Sequence, residues 1–230
     1  MIEKIKKPIS VAIDGPAAAG KSTIAKKAAK ILNFTYIDTG AMYRAFTYYV
    51  LKRGVNPQDE NACNALIPEV DVELLPDGIV KVNNEDVTRA IREIEISQNV
   101  SYIASYKNIR LALVEQQRNM AKHRSVIMDG RDIGTYVLPD ADVKIYQVAS
   151  VHTRAIRRYE ENLEKGIVCT LDEIEKDLIR RDYIDSHRDF APLVQAPDAV
   201  LLDTSKMSIE EVVIRVLQII KEKTGVFPHE

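Results

Sequence analysis

"SVAIDGPAAAGKST" (residues 10–23) sets a short β-branched run directly before two glycines, three successive alanines, a lysine and two hydroxyls. The run suits a buried parallel strand. Behind it Ile24, Ala25, Ala28, Ala29 and Leu32 recur at helical spacing, so a helix follows. Gly15, four residues, then Gly20, Lys21 and Ser22 satisfy G-x-x-x-x-G-K-[ST] between strand and helix. Pro16, Ala17, Ala18 and Ala19 are small enough for the backbone to curl, so that several N–H groups point at phosphate oxygens near the positive end of the helix. In this reading Gly15 to Thr23 hold a nucleotide's phosphates, Lys21 bridges the terminal ones and the Ser22 hydroxyl holds Mg2+. The loop alone names no reaction, because ATPases, GTPases, kinases and helicases share it.

Working outward, "FTYI" (34–37) reads as a second strand and "AMYRAFTYYVLKR" (41–53) as a second helix ended by Gly54. Asn56 before Pro57 predicts another helix start. The texture then changes: "DVELL", the turn "PDG" and "IVKVN" predict an antiparallel hairpin inside an insertion of about residues 60–95. Helical segments at about 93–105 and 107–122 precede strands at 125–129 and 143–149. Thr170 with Glu173 and Ser208 with Glu211 are capping-box pairs opening two helices, the second after the strand "AVLLD" (199–203). Strands alternating with helices imply a doubly wound parallel sheet of the α/β class.

The 230 residues carry 32 basic and 34 acidic side chains, so nothing draws the whole chain to nucleic acid or an anionic membrane, and anion binding has to be local. Cys63 and Cys169, the two cysteines, are too few and too far apart for a disulfide framework or a paired zinc knuckle, and are expected to be reduced core residues. The N-terminal lysines reach Asp14 before any apolar stretch long enough for a signal peptide, and "VVIRVLQII" (212–220) is interrupted by Arg215 and Gln218. A cytoplasmic protein is the expectation.

Three further stretches point to a phosphorylated acceptor. "DTGAMYR" (38–44) lies at the end of the second strand, where ligands of open α/β sheets collect, with Tyr43 and Arg44 expected on the first turn of the next helix. Arg44 is either a phosphate ligand or a solvated helix arginine. "IMDGRDIG" (127–134) sets Asp129 at a strand end, then Gly130, Arg131 and Asp132; Asp129 either assists Mg2+ or caps a turn, and the turn itself is either a ligand loop or plain surface. "RRDYIDSHRD" (180–189) puts Arg181, Asp185 and Arg188 on one face if the helix continues that far. With Arg154, Arg157 and Arg158 they concentrate positive charge as a phosphoryl-transfer site needs, although Glu160, Glu161, Asp177 and Asp182 nearby also fit salt-bridged helix faces.

"IDGPAAAGKST", "DTGAMYR", "DGRDIG" and "RRDYIDSHRDFAPL", in this order and at these separations, closely resemble the bacterial cytidylate kinase family over almost the whole chain. The resemblance implies transfer of the γ-phosphoryl of ATP to CMP or dCMP with Mg2+. It also implies a single domain with a five-stranded parallel core (about 1–38, 123–150 and 190–230), a nucleotide-monophosphate-binding region with its insert (about 39–122) and a helical lid (about 151–189). Residue by residue, Arg154, Arg157 and Arg158 are then lid arginines on ATP. Ser101, Arg110 and Asp132 read the cytosine edge, while Arg44, Arg131 and Arg188 bind phosphate. Arg181 and Asp185 lie near the sugar hydroxyls. Thr39 departs from the serine of some members; the hydroxyl survives, and its extra methyl is expected either to crowd the sugar or to change the preference between ribose and deoxyribose. The expected partners are small molecules only, and the expected state is a monomer. Two rivals remain open here: another small-molecule kinase with the same loop, whose hydroxyl acceptor would want a carboxylate base, and a regulatory or RNA-binding NTPase.

Overall fold

In the computed structural model, which describes residues 7–75, 78–164 and 166–226, the run ahead of the glycine motif is β1 (Ser10–Asp14), and α1 (Lys21–Leu32) follows it. β2 (Thr35–Asp38) leads into α2 (Thr39–Lys52), which starts earlier than "AMYRAFTYYVLKR" suggests because the Asp38 side chain caps it by accepting the Ala41 N–H at 2.8 Å. Tyr43 and Arg44 therefore stand on its second turn, not its first. Gly54, at φ +68, follows the helix end as expected.

The predicted helix start at Asn56 and Pro57 is corrected. Asn56 instead closes a turn, accepting at Oδ1 from the Gln58 N–H, and α3 (Glu60–Ala65) begins under an Asp59 cap that accepts the Ala62 N–H. The insertion does hold antiparallel β-structure, with β3 (Val72–Leu74) paired to β4 (Val80–Val82) and Val72 opposite Val82. Pro76 and Asp77 of the predicted turn lie outside the described residues. A third strand, β5 (Glu85–Asp86), which the sequence did not reveal, pairs with β4. Val72, Val80, Val82 and Val87 seat this small sheet on Ala45, Phe46 and Val50 of α2.

After a 3-10 turn (Ala90–Arg92) come α4 (Ile94–Ile103) and α5 (Lys107–Ala121), then β6 (Val126–Gly130), a π-helical turn (Ile133–Val137) and β7 (Val143–Val148). α6 (Val151–Glu164) and α7 (Leu171–His187) pack on each other; β8 (Val200–Asp203) and α8 (Ile209–Thr224) complete the core. Both predicted capping boxes are present, at Thr170 and Ser208. α7 stops at His187, so Arg188 is its C-cap rather than part of its face.

The main sheet runs β2-β6-β1-β7-β8, all parallel. Ile13, Ile127 and Ile145 on one face pack with α1 and α8 through Ile24, Ala28, Val216 and Ile220, while Ala12, Ile37 and Met128 on the other pack against Val114 of α5. Strand order reverses at β1, which places the ligand crevice beyond its C-terminal end. Register brings three carboxylates to that edge: Asp38 pairs with Asp129, and Asp14 with Gly130. Among the described residues no helix is long and apolar enough to cross a membrane. Cys63 is buried and free as expected; Cys169 is also free but only half-buried, just before α7, and so is not a core residue.

Candidate active site

The glycine-rich turn after β1 is set by close approach. A Cβ on Gly15, at φ +150, would stand 1.9 Å from the Gln147 carbonyl oxygen of β7, so only glycine fits. The Gln147 side chain, an interruption in an otherwise apolar strand, donates from Nε2 to the Ala19 carbonyl at 2.6 Å. At the far end Gly20 caps α1 in the left-handed region with no side chain on the helix's free N–H groups, and the first turn holds no acidic residue. Those donors face an anion site. Lys21, buried, folds its Nζ onto the Gly15 and Pro16 carbonyls at 2.8 Å each. Burial, reinforced by Arg131, pulls its pKa well below the usual ammonium range; an arriving phosphate would restore the charge.

Beside Lys21, the Ser22 hydroxyl donates to Asp129 Oδ2 at 2.8 Å and the Tyr36 hydroxyl to Asp129 Oδ1 at 2.8 Å. Burial pushes the Asp129 pKa up, with Asp38 adding repulsion. One hydroxyl and one carboxylate side by side match what Mg2+ takes from protein when phosphates supply further ligands, so the residues present fit the ion. Asp14 plays a different part, since its two oxygens accept the Ile133 and Gly134 N–H groups at 2.7 Å each and so pin the turn that carries Arg131 and Asp132. Gly130 leaves no room either, since a Cβ there would come within 2.7 Å of Thr39 Oγ1 and Ile133 Cδ1. Of the two readings of this turn, ligand loop or plain surface, the packing disfavours plain surface, with Asp132 3% exposed.

Across the cavity the chain gathers guanidinium groups. Arg110, 1% exposed, forms an ion pair with Asp132, donates to the Ala104 carbonyl at 2.9 Å and stacks over Tyr43 at 5.3 Å. Arg188 reaches the other Asp132 oxygen at 3.4 Å, and Arg131 donates from Nε to Asp185 at 2.7 Å. Burial opposes charge on Asp185, but Arg131, Arg188 and Arg181 outweigh it and hold its pKa below the usual carboxylate value. Arg44 donates to Ser97 Oγ at 2.8 Å; burial, with Arg181, Arg92 and Arg158 close by, drives its pKa well down. Arg181 is lowered to about 10 by burial and by Arg131, and its buried Nε meets no partner among the described residues. Such crowded, under-compensated positive charge calls for an anion.

A continuous cavity of about 770 Å³ joins the phosphate loop to this cluster. Ala18, Ala19, Gly20, Lys21, Ser22 and Thr23 line its phosphate-loop end, with Arg157 and Arg158 of α6. Thr39, Tyr43, Arg44, Ser101, Arg110, Asp129, Arg131, Asp132, Arg181, Asp185 and Arg188 line the rest. Gly15, Pro16, Ala17 and Arg154 do not line it. Arg154 is buried against backbone, donating to the Ala149 and Ala17 carbonyls, instead of facing the cavity. Sequence reading missed Tyr36, Gln147 and Arg92. Arg92, from the insert, pairs with Asp38 at 2.9 Å and also lines the cavity. A glutamine inside an apolar strand is a readable signal; Arg92 carries none.

A P-loop doubly wound sheet, three carboxylates and a hydroxyl at its C-terminal edge, and an arginine-lined second lobe define a P-loop phosphotransferase with an anionic acceptor. The model of the family described as Cytidylate kinase matches residues 11–222, so the chain belongs to the cytidylate kinase family, ATP-dependent nucleoside monophosphate kinases that phosphorylate CMP and dCMP. It is 50% identical over 224 residues to the cytidylate kinase of Geobacillus kaustophilus (96% of this chain, 100% of that one). It is 49% identical over 222 residues to that of Anoxybacillus flavithermus (95% and 99%). A crystal structure of an uncharacterized protein from Eubacterium ventriosum shares the fold at TM-score 0.54 and 13% identity, covering 94% of this chain and 99% of that one. With family membership in place, the two rival readings fall away.

Proposed function

We propose that ATP and CMP meet tail to tail in this cavity, with Lys21, Arg131 and Arg188 as the catalytic cations. The observation that supports this is the continuity of the cavity from the phosphate loop to the Arg110–Asp132 pair. At the donor end the backbone N–H groups of Ala18 to Thr23 and Lys21 hold the ATP phosphates, with Arg157 and Arg158 closing over them. At the acceptor end Arg44, Arg131 and Arg188 fork onto the CMP phosphate. Ser101, Arg110 and Asp132 read the cytosine edge against Tyr43, and Arg181 and Asp185 face the sugar.

Ser22 and Asp129 would hold Mg2+, which when bound offsets charge on the phosphates. Transfer is direct and in-line: the acceptor oxygen is anionic near neutral pH, so no side chain has to take its proton. Converging guanidinium groups offset the charge that develops, and the lid excludes water that would hydrolyse ATP.

In the same proposal residues 39–122 form the acceptor-binding region and 151–189 the lid of one domain. The protein is a cytoplasmic monomer that engages neither nucleic acid nor membrane, a reading supported by near-balanced charge. A coupled assay with ATP, Mg2+ and a panel of nucleoside monophosphates and nucleosides tests the site: ADP forms with CMP and dCMP, and equal rates with a purine monophosphate would overturn the assignment of Ser101, Arg110 and Asp132.

A further inference from the structure

We propose that Asp182 and Arg154 are a positioning pair that aims the Ala18 N–H of the phosphate loop at the donor, and that Arg154 is not itself an ATP ligand. The proposal rests on the loop carrying the ATP phosphates. Asp182 Oδ1 accepts the Ala17 N–H at 3.1 Å, and its Oδ2 lies 2.7 Å from Arg154 Nη1. The same Nη1 donates to the Ala17 carbonyl at 2.9 Å, and Arg154 Nε is anchored on the Ala149 carbonyl at 2.9 Å. One residue of the loop thus has both backbone polar groups held by one ion pair from α6 and α7.

Peptide planarity turns that grip into aim. The Ala17 carbonyl and the Ala18 N–H belong to one trans peptide and point in opposite directions. Arg154 draws the carbonyl to itself, so the Ala18 N–H points away from Arg154, and Ala18 lines the cavity while Ala17 and Arg154 do not. Ala18 also stands at φ +55, a left-handed conformation that costs a non-glycine residue and persists where its surroundings over-determine it. The Ala17 methyl, wedged with Ala155, Ile174 and Leu178, holds the loop from the same side. Arg154 has its Nε and Nη1 committed to carbonyls and to Asp182, and is 4% exposed.

The test compares Asp182→Asn and Arg154→Met, singly and combined, by calorimetric titration with ATP and Mg2+, by KM for ATP and for CMP, and by thermal melting. Each single variant is expected to weaken ATP binding by about tenfold, the loss of one charge-assisted contact, while KM for CMP moves less, because neither side chain lines the cavity. The double variant should be no worse than either single, because the pair acts as a unit. Lys21→Ala is the control for the underlying site: if it left ATP affinity intact, the loop itself would not be the donor site. If Arg154→Met weakened ATP and Asp182→Asn did not, Arg154 would be a direct ligand and the proposal would fail. A parallel loss of ATP and CMP affinity together with melting temperature would also overturn it, marking a merely structural pair.

Discussion

The two ends of the cavity are built by opposite means. In the proposed assignment the donor end centres on one stretch, Gly15 to Thr23, where backbone N–H groups are joined by the Lys21 and Ser22 side chains and the alanines contribute shape alone. The acceptor end is made of side chains from α2, α4, α5, the turn after β6 and α7, brought together by folding and set against one another by ion pairs. A backbone site tolerates changes of side chain that respect its curvature; a side-chain site depends on each partner, because removing one strands the others. Variants at the acceptor end should therefore cost stability as well as affinity, and variants at the donor end chiefly rate.

The largest effect should come from Asp132→Ala, which removes the carboxylate shared by Arg110 and Arg188 and leaves two buried cations without it. Breaking a buried pair this way costs about 3–5 kcal/mol. Chemical denaturation should show that loss together with a raised KM for CMP and an unchanged KM for ATP; an unchanged unfolding free energy would break the contrast. Next comes Lys21→Ala. Losing one charge-assisted donor at the reacting phosphate costs about 2–4 kcal/mol of transition-state stabilisation, on the order of 10²–10³ in kcat. Its melting temperature should hold, since the buried ammonium is disfavoured by its own desolvation. A variant within tenfold of the parent kcat would refute the role of Lys21.

The carboxylates sharpen the comparison, because the two ends shift them in opposite senses. On the donor side burial raises Asp14 to about 6, and Asp129 is raised as well; on the acceptor side the arginines hold Asp185 low. A carboxyl raised in the folded state binds more protons folded than unfolded, so stability is lost as pH rises from about 4 to about 6. A rise of that size is worth about 3 kcal/mol per carboxyl as an upper bound. Asp185 acts the other way, its contribution lost only as pH falls below the usual carboxylate range. Unfolding free energies of the nucleotide-free protein should therefore fall between pH 4 and 6, and Asp129→Asn should flatten that slope while Asp185→Asn does not. A slope of the opposite sign would overturn the donor-side assignment.

The same division explains what could be read in advance. The donor loop, the parallel sheet and both capping boxes follow from local rules of spacing and propensity, so residues near in sequence are near in space. Ser101 and Arg110 sit on ordinary helices with no local signature, and only the family resemblance singled them out; the structure puts both on the cavity wall. Arg154 was placed with Arg157 and Arg158 by the family resemblance, and a resemblance in sequence says nothing of the direction of a side chain. Its guanidinium turns to backbone carbonyls, whereas Arg157 and Arg158, on the same helix, reach the cavity wall. Asp14 drew no reading of its own, and its hold on the Ile133 and Gly134 amides depends on a strand pairing more than a hundred residues away in sequence.

The smallest effect belongs to Thr39, the position whose methyl was expected either to crowd the sugar or to change the preference between ribose and deoxyribose. Its hydroxyl donates to the Asp129 carbonyl at 2.7 Å, and the residue is 3% exposed on the first turn of α2. The hydrogen bond ties the start of α2 to the end of β6, so the hydroxyl's proton is committed to joining two elements. Thr39→Ser keeps that donor and removes one buried methyl, a change worth about 1 kcal/mol or less. The ratio of kcat/KM for CMP to that for dCMP should then stay within about twofold, the span such an energy allows if the methyl touches both sugars alike. A shift of tenfold or more toward ribose would show that the methyl, and not the Asp185 and Arg181 pair, sets the preference between the two sugars.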